Sequence, residues 1–194
     1  MAPFREPFER FASVFEEATR AILQDPNAVQ LATVDERGRP SVRTVLMKDF
    51  DTRGFVFYGN HLSRKGRHLA ERGVAALNFY WPVLGLQVRV EGTVRVASDA
   101  EADTYFATRP RLSQIGAWAS LQSQVLDDRA TLETRVAELT RTYEGLEVPR
   151  PPHWGGWRLE PDYFEFWKAH PFRLHWRDVY IREGDGWRTQ MLYP

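Results

Sequence analysis

Several residue types and patterns that would give this sequence an obvious assignment are missing. The 194-residue chain contains no cysteine, which excludes disulfides, thiolate metal sites and a thiol nucleophile. Its 26 basic and 26 acidic side chains cancel, so no overall charge favours nucleic acid or an anionic membrane. No apolar run approaches the roughly 20 residues that span a bilayer. These absences fit a cytoplasmic protein, and any anion-binding site must be local.

The sequence also lacks the common catalytic and metal-binding motifs. It has no glycine-rich dinucleotide loop, P-loop or His-Glu-x-x-His segment, and no Gly-x-Ser-x-Gly elbow. None of its five histidines is paired with another at metal-ligand spacing, so we expect no metal site. If the chain is an enzyme, its difficult chemistry is expected to come from an organic cofactor held by the fold.

Alternating apolar residues and turn signals predict a mainly β fold with peripheral helices. Strands are expected at 29–34, 41–48, 54–58, 74–81, 86–96, 157–159, 163–167, 173–182 and 187–193. Helices are expected at 8–22, 63–72, 98–109 and 127–144. Gly92 interrupts the longest alternating strand, as a bulge or sharp bend in a barrel would. We therefore predict a small closed or split antiparallel barrel in a single domain, residues 1–194, with an N-terminal helix region at 1–24.

The chain does contain a dense local supply of anion-binding side chains, and residues 109–118 hold the clearest example. Arg109, Arg111 and Ser113 lie within five residues, and arginine forks with a hydroxyl suit a phosphate or carboxylate. Ile115 and Trp118 follow as candidate core residues. On spacing alone, a solvated basic turn after a helix is the commoner explanation, because arginine is usually exposed.

Four further clusters of this kind change that balance. Arg43 and Lys48 are five residues apart on a predicted strand, which sends them to opposite faces unless the strand bends or ends near Lys48. Ser63, Arg64 and Lys65 begin a predicted helix, a favourable place for a phosphate. The other two clusters are Gln122-Ser123 and, at alternating positions on one predicted strand face, Arg173, His175 and Arg177. Each cluster alone is equally consistent with hydrated surface, but five in a neutral chain indicate a ligand site.

In these segments the chain resembles the pyridoxine/pyridoxamine 5'-phosphate oxidases, which have the FMN-binding split-barrel fold. The resemblance covers residues 25–194. Its most specific parts follow the order and spacing of the family, at 43–48, 57–65, 109–118, 122–123, 165–167 and 173–177. It implies an antiparallel Greek-key split barrel that forms a homodimer, with FMN bound at the subunit interface.

The resemblance also implies a role for each matching residue. The flavin-contacting positions are Arg43, Thr44, Val45, Leu46, Met47, Lys48, Tyr58, Gly59, Arg64, Lys65, Gln87, Gln122, Ser123, Trp167 and Arg177. The positions that bind the substrate phosphate are Lys48, Tyr105, Arg109 and Ser113. Arg173 and His175 match the pair that flanks the pyridine ring of the substrate where it stacks on the flavin, and they are the candidate catalytic residues.

The implied activity is the oxidation by dioxygen of pyridoxine 5'-phosphate, pyridoxamine 5'-phosphate or both, with release of pyridoxal 5'-phosphate and hydrogen peroxide. Holding substrate against cofactor through their phosphates would supply most of the rate by positioning. Two alternatives stay open on the sequence. One is a related flavin oxidase with a different substrate, of the phenazine-precursor type. The other is a non-catalytic carrier of FMN or pyridoxal phosphate, which would produce no peroxide.

Three features depart from the family pattern, one of which is that Met191 replaces a common basic residue in the C-terminal strand. Family members often carry an arginine-rich, tyrosine-containing N-terminal segment that folds over the substrate, but residues 1–10 here offer only Arg5 and Arg10 and no tyrosine. Gly59 stands where a hydroxyl residue is common, which removes one hydrogen bond to the flavin. We therefore expect no lid contacts from residues 1–7, whereas the apolar stripe that begins at Phe8 should dock its helix on the barrel.

Overall fold

The computed structural model of the protein describes residues 6–194, so the expected lack of lid contacts falls mostly on residues 1–5, outside the described residues. The strands are β1 (Ala28–Val34), β2 (Pro40–Asp51), β3 (Gly54–Asn60), β4 (Val74–Trp81), β5 (Leu86–Val96), β6 (Trp154–Lys168), β7 (Trp176–Glu183) and β8 (Gly186–Met191). The α-helices are α1 (Glu6–Ala21), α2 (Arg64–Arg72), α3 (Asp99–Ala107), α4 (Arg111–Ala119) and α5 (Arg129–Thr142). Within residues 6–194, no helix is both long and apolar enough to cross a membrane.

Six antiparallel strands close into a barrel in the order β3-β2-β1-β4-β5-β6, because β3 also pairs with β6. β4 lies beside β1 rather than beside β3, so the first four strands form a Greek key. Residues 154–159 of β6 pair with β3, whereas residues 163–168 pair with β7, which carries β8 on its outer side. The predicted antiparallel Greek-key barrel with peripheral helices is confirmed.

One long strand, β6, replaces the two strands predicted at 157–159 and 163–167. The β5–β6 register shifts between Glu91 and Gly92, and Gly92 pairs with Pro161 at this point. A Cβ atom at residue 92 would collide with the carbonyl oxygen of Glu160, so the close approach of the two strands requires glycine. The predicted bulge at Gly92 is therefore confirmed, and it lets the strand run on through a proline.

The N-terminal helix packs into the main hydrophobic core. Phe11 of α1 is fully buried, and its ring meets those of Phe50, Phe55 and Phe79 edge-on at centroid distances of 4.9, 4.8 and 5.0 Å. Edge-to-face pairs of this kind contribute about 0.5–1.5 kcal/mol each beyond the burial of their area. The predicted docking of this helix on the barrel is confirmed.

A second, smaller core lies beneath α3, α4 and α5. Its buried members are Phe106, Ile115, Val148 and Trp154. Helix α4 was missed by the sequence prediction, which treated residues 109–118 as a basic turn followed by core residues. Pro110 precedes the helix and begins it, while Ile115 and Ala119, four residues apart, bury one face. This core fixes α3 and α4, which carry Tyr105 and Ser113, and the short connection between them, which carries Arg109.

Candidate active site

A cavity of about 980 Å³ lies between strands β2 and β3 on one side and helices α3 and α4 on the other. Its walls also include the start of α2 and the segment that follows α4. The sequence-predicted residues that line it are Arg43, Thr44, Val45, Leu46, Lys48, Tyr58, Gly59, Arg64, Lys65, Tyr105, Arg109, Ser113, Gln122 and Ser123. Residues from two strands, three helices and the segments beside α4 therefore meet at one site.

The α2 wall of the cavity presents Lys65. Ser63 caps the helix by accepting a hydrogen bond from the Gly66 N–H at 3.3 Å, as the sequence predicted. The Lys65 ammonium donates to Ser63 Oγ at 3.1 Å and to Gln122 Oε1 at 2.6 Å, and both partners are neutral. Burial, reinforced by the nearby charge of Arg43, lowers the pKa of Lys65 to about 8. A buried ammonium held only by neutral groups is a position that an anionic ligand would stabilise.

Gly59 explains how Lys65 reaches this position. A Cβ atom at residue 59 would lie 3.1 Å from both Cε and Nζ of Lys65, which is closer than such atoms normally approach. A side chain at residue 59 would therefore require the end of the Lys65 side chain to move by a few tenths of an ångström. The departure from the family pattern at Gly59 gives up a side-chain hydroxyl and leaves space for the lysine.

β2 brings Arg43 and Lys48 to the same cavity although they are five positions apart, an odd separation. The β2–β3 register shifts between Met47 and Asp49, so the strand bends at Lys48, which is one of the two conditions that the sequence left open. Met47 does not line the cavity, because its side chain is buried in the main core. Its N–H and carbonyl both bind Asn27, so its backbone is occupied as well.

Arg43 is held in the cavity wall by neutral groups. Its guanidinium donates at 3.0, 2.7 and 2.8 Å to the Leu31 carbonyl, the Thr33 hydroxyl and the Ser41 hydroxyl. The Thr33 hydroxyl lies 3.1 Å from His68 Nδ1, and both residues are buried. Because Thr33 accepts from Arg43, its own proton is free to donate to His68, which would then carry its proton on Nε2. Burial and the charge of Arg64 lower the pKa of Arg43, yet a guanidinium stays charged.

Arg109 lies against aromatic rings on the wall formed by α3 and α4. Its guanidinium carbon is 4.7 Å from the ring centroid of Trp154 and 5.5 Å from that of Phe106. Nη1 of Arg109 is buried and has no hydrogen-bond partner among the described residues, and burial lowers the pKa of the group. Tyr105 and Ser113 line the same wall. A buried donor without an acceptor in the described chain, on the wall of a cavity, can donate to an oxygen of a ligand that binds there.

The charge of the cavity is uncompensated. Among the described residues that line it, five are arginine or lysine and none is aspartate or glutamate. These five are Arg43, Lys48, Arg64, Lys65 and Arg109. Like charges at close range raise the free energy of the folded state unless an anion neutralises them. The cavity therefore suits ligands that bear phosphate or carboxylate groups.

A second group of predicted residues lies elsewhere. Gln87 pairs with Trp167, and Trp167 pairs with Arg177, across neighbouring strands. Trp154, which lines the cavity, is thirteen residues before Trp167 on β6, a length of roughly 40 Å of strand. Within one chain this second group therefore does not reach the cavity.

Arg177 is already neutralised in this second group. Its Nε and Nη2 donate to the carboxylate of Glu165 at 2.7 and 3.1 Å, and Arg89 donates to the same carboxylate at 3.0 Å. Burial by itself would raise the pKa of Glu165, which is 2% exposed, but the hydrogen bonds and charges of the two arginines outweigh it and lower the pKa. This arginine–glutamate–arginine group ties β5, β6 and β7 together.

The prediction that Arg173, His175 and Arg177 share one strand face is wrong. β7 begins only at Trp176, and Pro171–Arg173 forms a short 3-10 turn. Phe172 and Arg173 have φ values of 58° and 63°, in the left-handed region, which no β-strand uses. The strand predicted at 173–182 therefore starts three residues later, and Arg173 lies exposed on the turn before it.

His175 lies between that turn and β7, beside Trp167. The two ring centroids are 4.5 Å apart. Nδ1 of His175 accepts a hydrogen bond from the His170 N–H at 3.2 Å. The neutral imidazole therefore carries its proton on Nε2, which leaves an N–H donor on the side of the ring away from the turn.

Several side chains that line the cavity were not predicted from the sequence, and Ser41 and Trp154 are two of them. Ser41 lies two residues before Arg43 on β2 and accepts its hydrogen bond, a relation that strand periodicity could have revealed. Trp154 begins β6 three residues before the predicted strand and follows a proline-rich connection. Its sequence context gave no sign that it would lie under Arg109.

The chain matches two family models in succession. A model described as pyridoxamine 5'-phosphate oxidase matches residues 15–143. One described as the pyridoxine 5'-phosphate oxidase C-terminal dimerisation region matches residues 154–194.

The chain is 61% identical over 189 residues to the pyridoxine/pyridoxamine 5'-phosphate oxidase of Myxococcus xanthus (strain DK1622), covering 97% of this chain and 92% of that one. It is 55% identical to the protein of the same name from Rubrobacter xylanophilus, covering 97% and 87% of the two chains.

Solved structures agree with these matches. PhzG from Burkholderia lata 383, in complex with tetrahydrophenazine-1-carboxylic acid, superposes with a TM-score of 0.92 at 37% identity and covers 97% of this chain and 92% of that one. A pyridoxamine 5'-phosphate oxidase-related, FMN-binding protein from Nostoc punctiforme superposes with a TM-score of 0.77 at 18% identity over 100% and 99% of the chains, and shows the shared fold. By its family matches and its identity to curated relatives, the chain belongs to the pyridoxine/pyridoxamine 5'-phosphate oxidase family.

Proposed function

We propose that this chain is an FMN-dependent oxidase that converts pyridoxine 5'-phosphate, pyridoxamine 5'-phosphate or both to pyridoxal 5'-phosphate, and that the cavity is its active site. Family membership supports the reaction. The observation that carries the assignment of the site is its charge, since five cationic side chains line the cavity and the described lining residues include no carboxylate. Such a surplus fits one phosphate from the cofactor and one from the substrate.

The β2, β3 and α2 side of the cavity fits FMN. Among residues 6–194, buried Lys65 has only neutral hydrogen-bond partners, and with Arg43 and Arg64 it would bind the cofactor phosphate. The remaining cavity residues proposed to contact the flavin are Thr44, Val45, Leu46, Tyr58, Gly59, Gln122 and Ser123. When bound, FMN would accept a hydride from the C4' carbon of the substrate and pass the electrons to dioxygen, which is released as peroxide.

The α3 and α4 side fits the substrate phosphate. Arg109 offers a buried Nη1 without a partner in the described chain, and Lys48, Tyr105 and Ser113 line the same cavity. Together these groups would hold the phosphate at several points and fix the distance between the substrate and the flavin ring. Positioning of this kind lowers the barrier by replacing a bimolecular encounter with a prearranged one.

A second copy of the chain would complete the site. Gln87, Trp167 and Arg177 lie together but away from the cavity of their own chain, as do Arg173 and His175. In a homodimer these residues of one subunit would meet the cavity of the other. The match of residues 154–194 to a dimerisation region supports this arrangement, because all of these residues except Gln87 lie in that segment.

His175 is the residue proposed to handle a proton. Its Nδ1 accepts a hydrogen bond from the His170 N–H. A neutral imidazole would therefore donate its Nε2 proton to the hydroxyl oxygen attached to the pyridine ring of the substrate. Arg173 stays charged, so it is proposed to orient the pyridine ring and stabilise negative charge rather than act as a base.

The similarity to PhzG at a TM-score of 0.92 favours a second candidate, an oxidase acting on a phenazine precursor. The ligand of that structure is a carboxylic acid. One carboxylate leaves most of the cationic side chains of this cavity without an anionic partner, whereas a phosphate accepts hydrogen bonds from several donors at once. The surplus charge therefore favours the phosphorylated substrate.

One experiment separates the candidates. The purified protein is expected to be yellow and dimeric, and to form aldehyde and hydrogen peroxide in equal amounts when pyridoxine 5'-phosphate is added in air. Turnover of tetrahydrophenazine-1-carboxylic acid without turnover of the phosphate ester would favour the second candidate. Bound FMN without any peroxide would indicate a carrier, and a colourless monomer that binds no added FMN would overturn the proposal.

A further inference from the structure

The position of Arg109 raises the question of what orients its guanidinium. Within the described chain, Nη1 has no hydrogen-bond partner, and no carboxylate pairs with the side chain. Its guanidinium lies over the rings of Trp154 and Phe106, and the Trp154 ring is the nearer, at 4.7 Å against 5.5 Å. A flexible cation in such a place would lose much of its advantage in binding, because immobilising it costs side-chain entropy.

Trp154 is itself held rigidly. It is 6% exposed, and its ring lies nearly parallel to that of Tyr58, with centroids 5.5 Å apart and planes inclined by 7°. Tyr105 stacks on Tyr58 at 4.2 Å, and Phe106 meets Trp154 edge-on at 5.1 Å. Arg109 therefore rests on a fixed ring, within a stack whose two tyrosines also line the cavity.

We propose that Trp154 is a positioning residue that sets the selectivity for phosphorylated substrates, by holding the Arg109 guanidinium on its ring face with the N–H donors left free. The inference rests on the proposed function, in which Arg109 binds the substrate phosphate. It adds a residue that touches neither the reacting atoms nor the phosphate, and acts through the arginine.

An aromatic ring suits this task better than a carboxylate. A carboxylate would orient the guanidinium through its N–H groups and would neutralise it, so it would compete with the substrate phosphate for the same donors. A ring face attracts the cation through its quadrupole and leaves the edge of the guanidinium unoccupied. Arginine stacks well in this way because its guanidinium is planar and weakly hydrated.

The test is a double-mutant cycle between Trp154 and Arg109 with pyridoxine 5'-phosphate as substrate. Trp154→Met removes the ring and keeps an apolar side chain, and it is expected to raise KM about tenfold with kcat within about twofold, the loss of a partly desolvated cation–π contact. Trp154→Phe keeps a smaller ring and is expected to raise KM only about threefold. In an Arg109→Ala background, both substitutions should change KM by less than about twofold, because the group they position is gone.

Trp118→Met is the matched control. Trp118 packs against the second, smaller core, to which Trp154 also belongs, and its ring contacts Tyr143 and His153. It does not line the cavity. It is expected to lower the melting temperature without changing KM. Bound FMN per subunit, read from the flavin absorbance, should be the same in all variants.

Several outcomes would overturn the inference. These are an equal rise in KM in the Arg109 and Arg109→Ala backgrounds, a fall in kcat with KM unchanged, or a KM for Trp154→Phe as high as that for Trp154→Met. If Trp154→Met fails to fold, the Trp154→Phe pair in the two backgrounds decides the question alone. A wild-type protein that does not oxidise pyridoxine 5'-phosphate would instead refute the proposed function, so the two failures are distinguishable.

Discussion

The protein uses arginine in two opposite ways. Some arginines line the cavity, and others form ion pairs that join its strands and helices, which are called the framework below. In the framework, Arg177 binds Glu165 at 2.7 Å, and Arg150 binds Asp103 and Asp99 at 2.6 and 2.7 Å. Hydrogen bonds to these carboxylates raise the pKa of both arginines. In the cavity, Arg43 and Arg109 have no carboxylate partner among the described residues, and burial lowers the pKa of each.

This difference separates arginines whose charge is already paired with a carboxylate of the fold from arginines whose charge is available to a ligand. A buried carboxylate between two arginines stabilises the folded state only while all partners are present. An unpaired cation in a cavity destabilises the free protein and is stabilised when an anion binds. Neutralising substitutions should therefore have opposite effects in the two regions: loss of stability in the framework, and loss of binding with no loss of stability in the cavity.

The largest expected effect is on the framework. Glu165→Gln removes the charge that binds Arg177 and Arg89 at 2.7 and 3.0 Å, and it leaves two partly buried cations side by side. We expect the free energy of unfolding to fall by about 2–4 kcal/mol, below the full cost of breaking a buried pair because both arginines are partly solvated. Urea denaturation of the FMN-free protein measures this directly.

Glu183→Gln is the control for that substitution. Glu183 pairs with Arg188 at 2.6 Å, but both side chains are largely exposed, so the expected loss is below about 1 kcal/mol. An equal loss in the two variants would mean that burial of the ion pair does not matter, and the contrast drawn between framework and cavity would fail.

The second expected effect is on substrate binding in the cavity. Arg109→Ala removes a charge-assisted contact worth roughly 1.5–3 kcal/mol, so KM for pyridoxine 5'-phosphate should rise about ten- to a hundredfold. Bound FMN should stay close to the wild-type value, and the free energy of unfolding should change by less than about 1 kcal/mol, because the lost contact with the Trp154 ring is offset by removal of an unpaired buried charge. Steady-state kinetics, flavin absorbance and urea denaturation check the three statements.

Arg129→Ala serves as the control, since Arg129 lies exposed on α5 and pairs with Glu133 at 3.2 Å. It should leave KM unchanged. Unphosphorylated pyridoxine should be a poor substrate of the wild type, and the Arg109→Ala substitution should affect its turnover little. Equal activity of the wild type on both forms of the vitamin would contradict a phosphate-binding role for Arg109.

Much of the barrel could be predicted because its signals are local. The bulge at Gly92 follows from a glycine within an alternating strand, and the α2 cap follows from a serine before a basic helix. Helix α4 and the turn at 171–173 could not be predicted in this way. Helix α4 depends on burial of Ile115 in the second, smaller core. The turn depends on positive φ values at Phe172 and Arg173, which are not glycine.

The candidate site was predictable in its residue types but not in its arrangement. Spacing alone put Arg43 and Lys48 on opposite strand faces, and only the bulge at Lys48 brings both to the cavity. Spacing likewise put Arg173 on a strand that the structure starts at Trp176. The contact between Arg109 and Trp154 joins residues 45 positions apart, and a sequence pattern carries no information about such a pair.

The third prediction concerns pH. Burial lowers the pKa of Lys65 from 10.5 to about 8, so between these values the folded FMN-free protein binds fewer protons than the unfolded chain. Its free energy of unfolding should therefore rise with pH over that window. The affinity for FMN should fall over the same window, by up to about tenfold per pH unit, because the phosphate favours charged Lys65. Fluorescence titration with FMN and urea denaturation measure the two slopes.

Lys65→Arg supplies the control, because a guanidinium stays charged across this range. Both slopes should be nearly flat between pH 8 and 10 in this variant, whatever its absolute affinity for FMN. If the wild type and Lys65→Arg showed the same dependence on pH, another group would be responsible and the assignment of the effect to Lys65 would be wrong.

The smallest expected effect concerns the neutral groups that hold Arg43. Thr33→Val keeps the shape of the side chain and removes the hydroxyl that lies 2.7 Å from Arg43 Nη1 and 3.1 Å from His68 Nδ1. We expect the free energy of unfolding to fall by about 1–2 kcal/mol, and the Kd for FMN to rise about threefold because Arg43 loses one of its hydrogen-bond acceptors.

Thr33→Ser keeps the hydroxyl and should bind FMN as the wild type does. In an Arg43→Ala background, Thr33→Val should no longer change the Kd. Equal weakening by Thr33→Val and Thr33→Ser would show that packing at residue 33 matters and that the hydroxyl does not position Arg43.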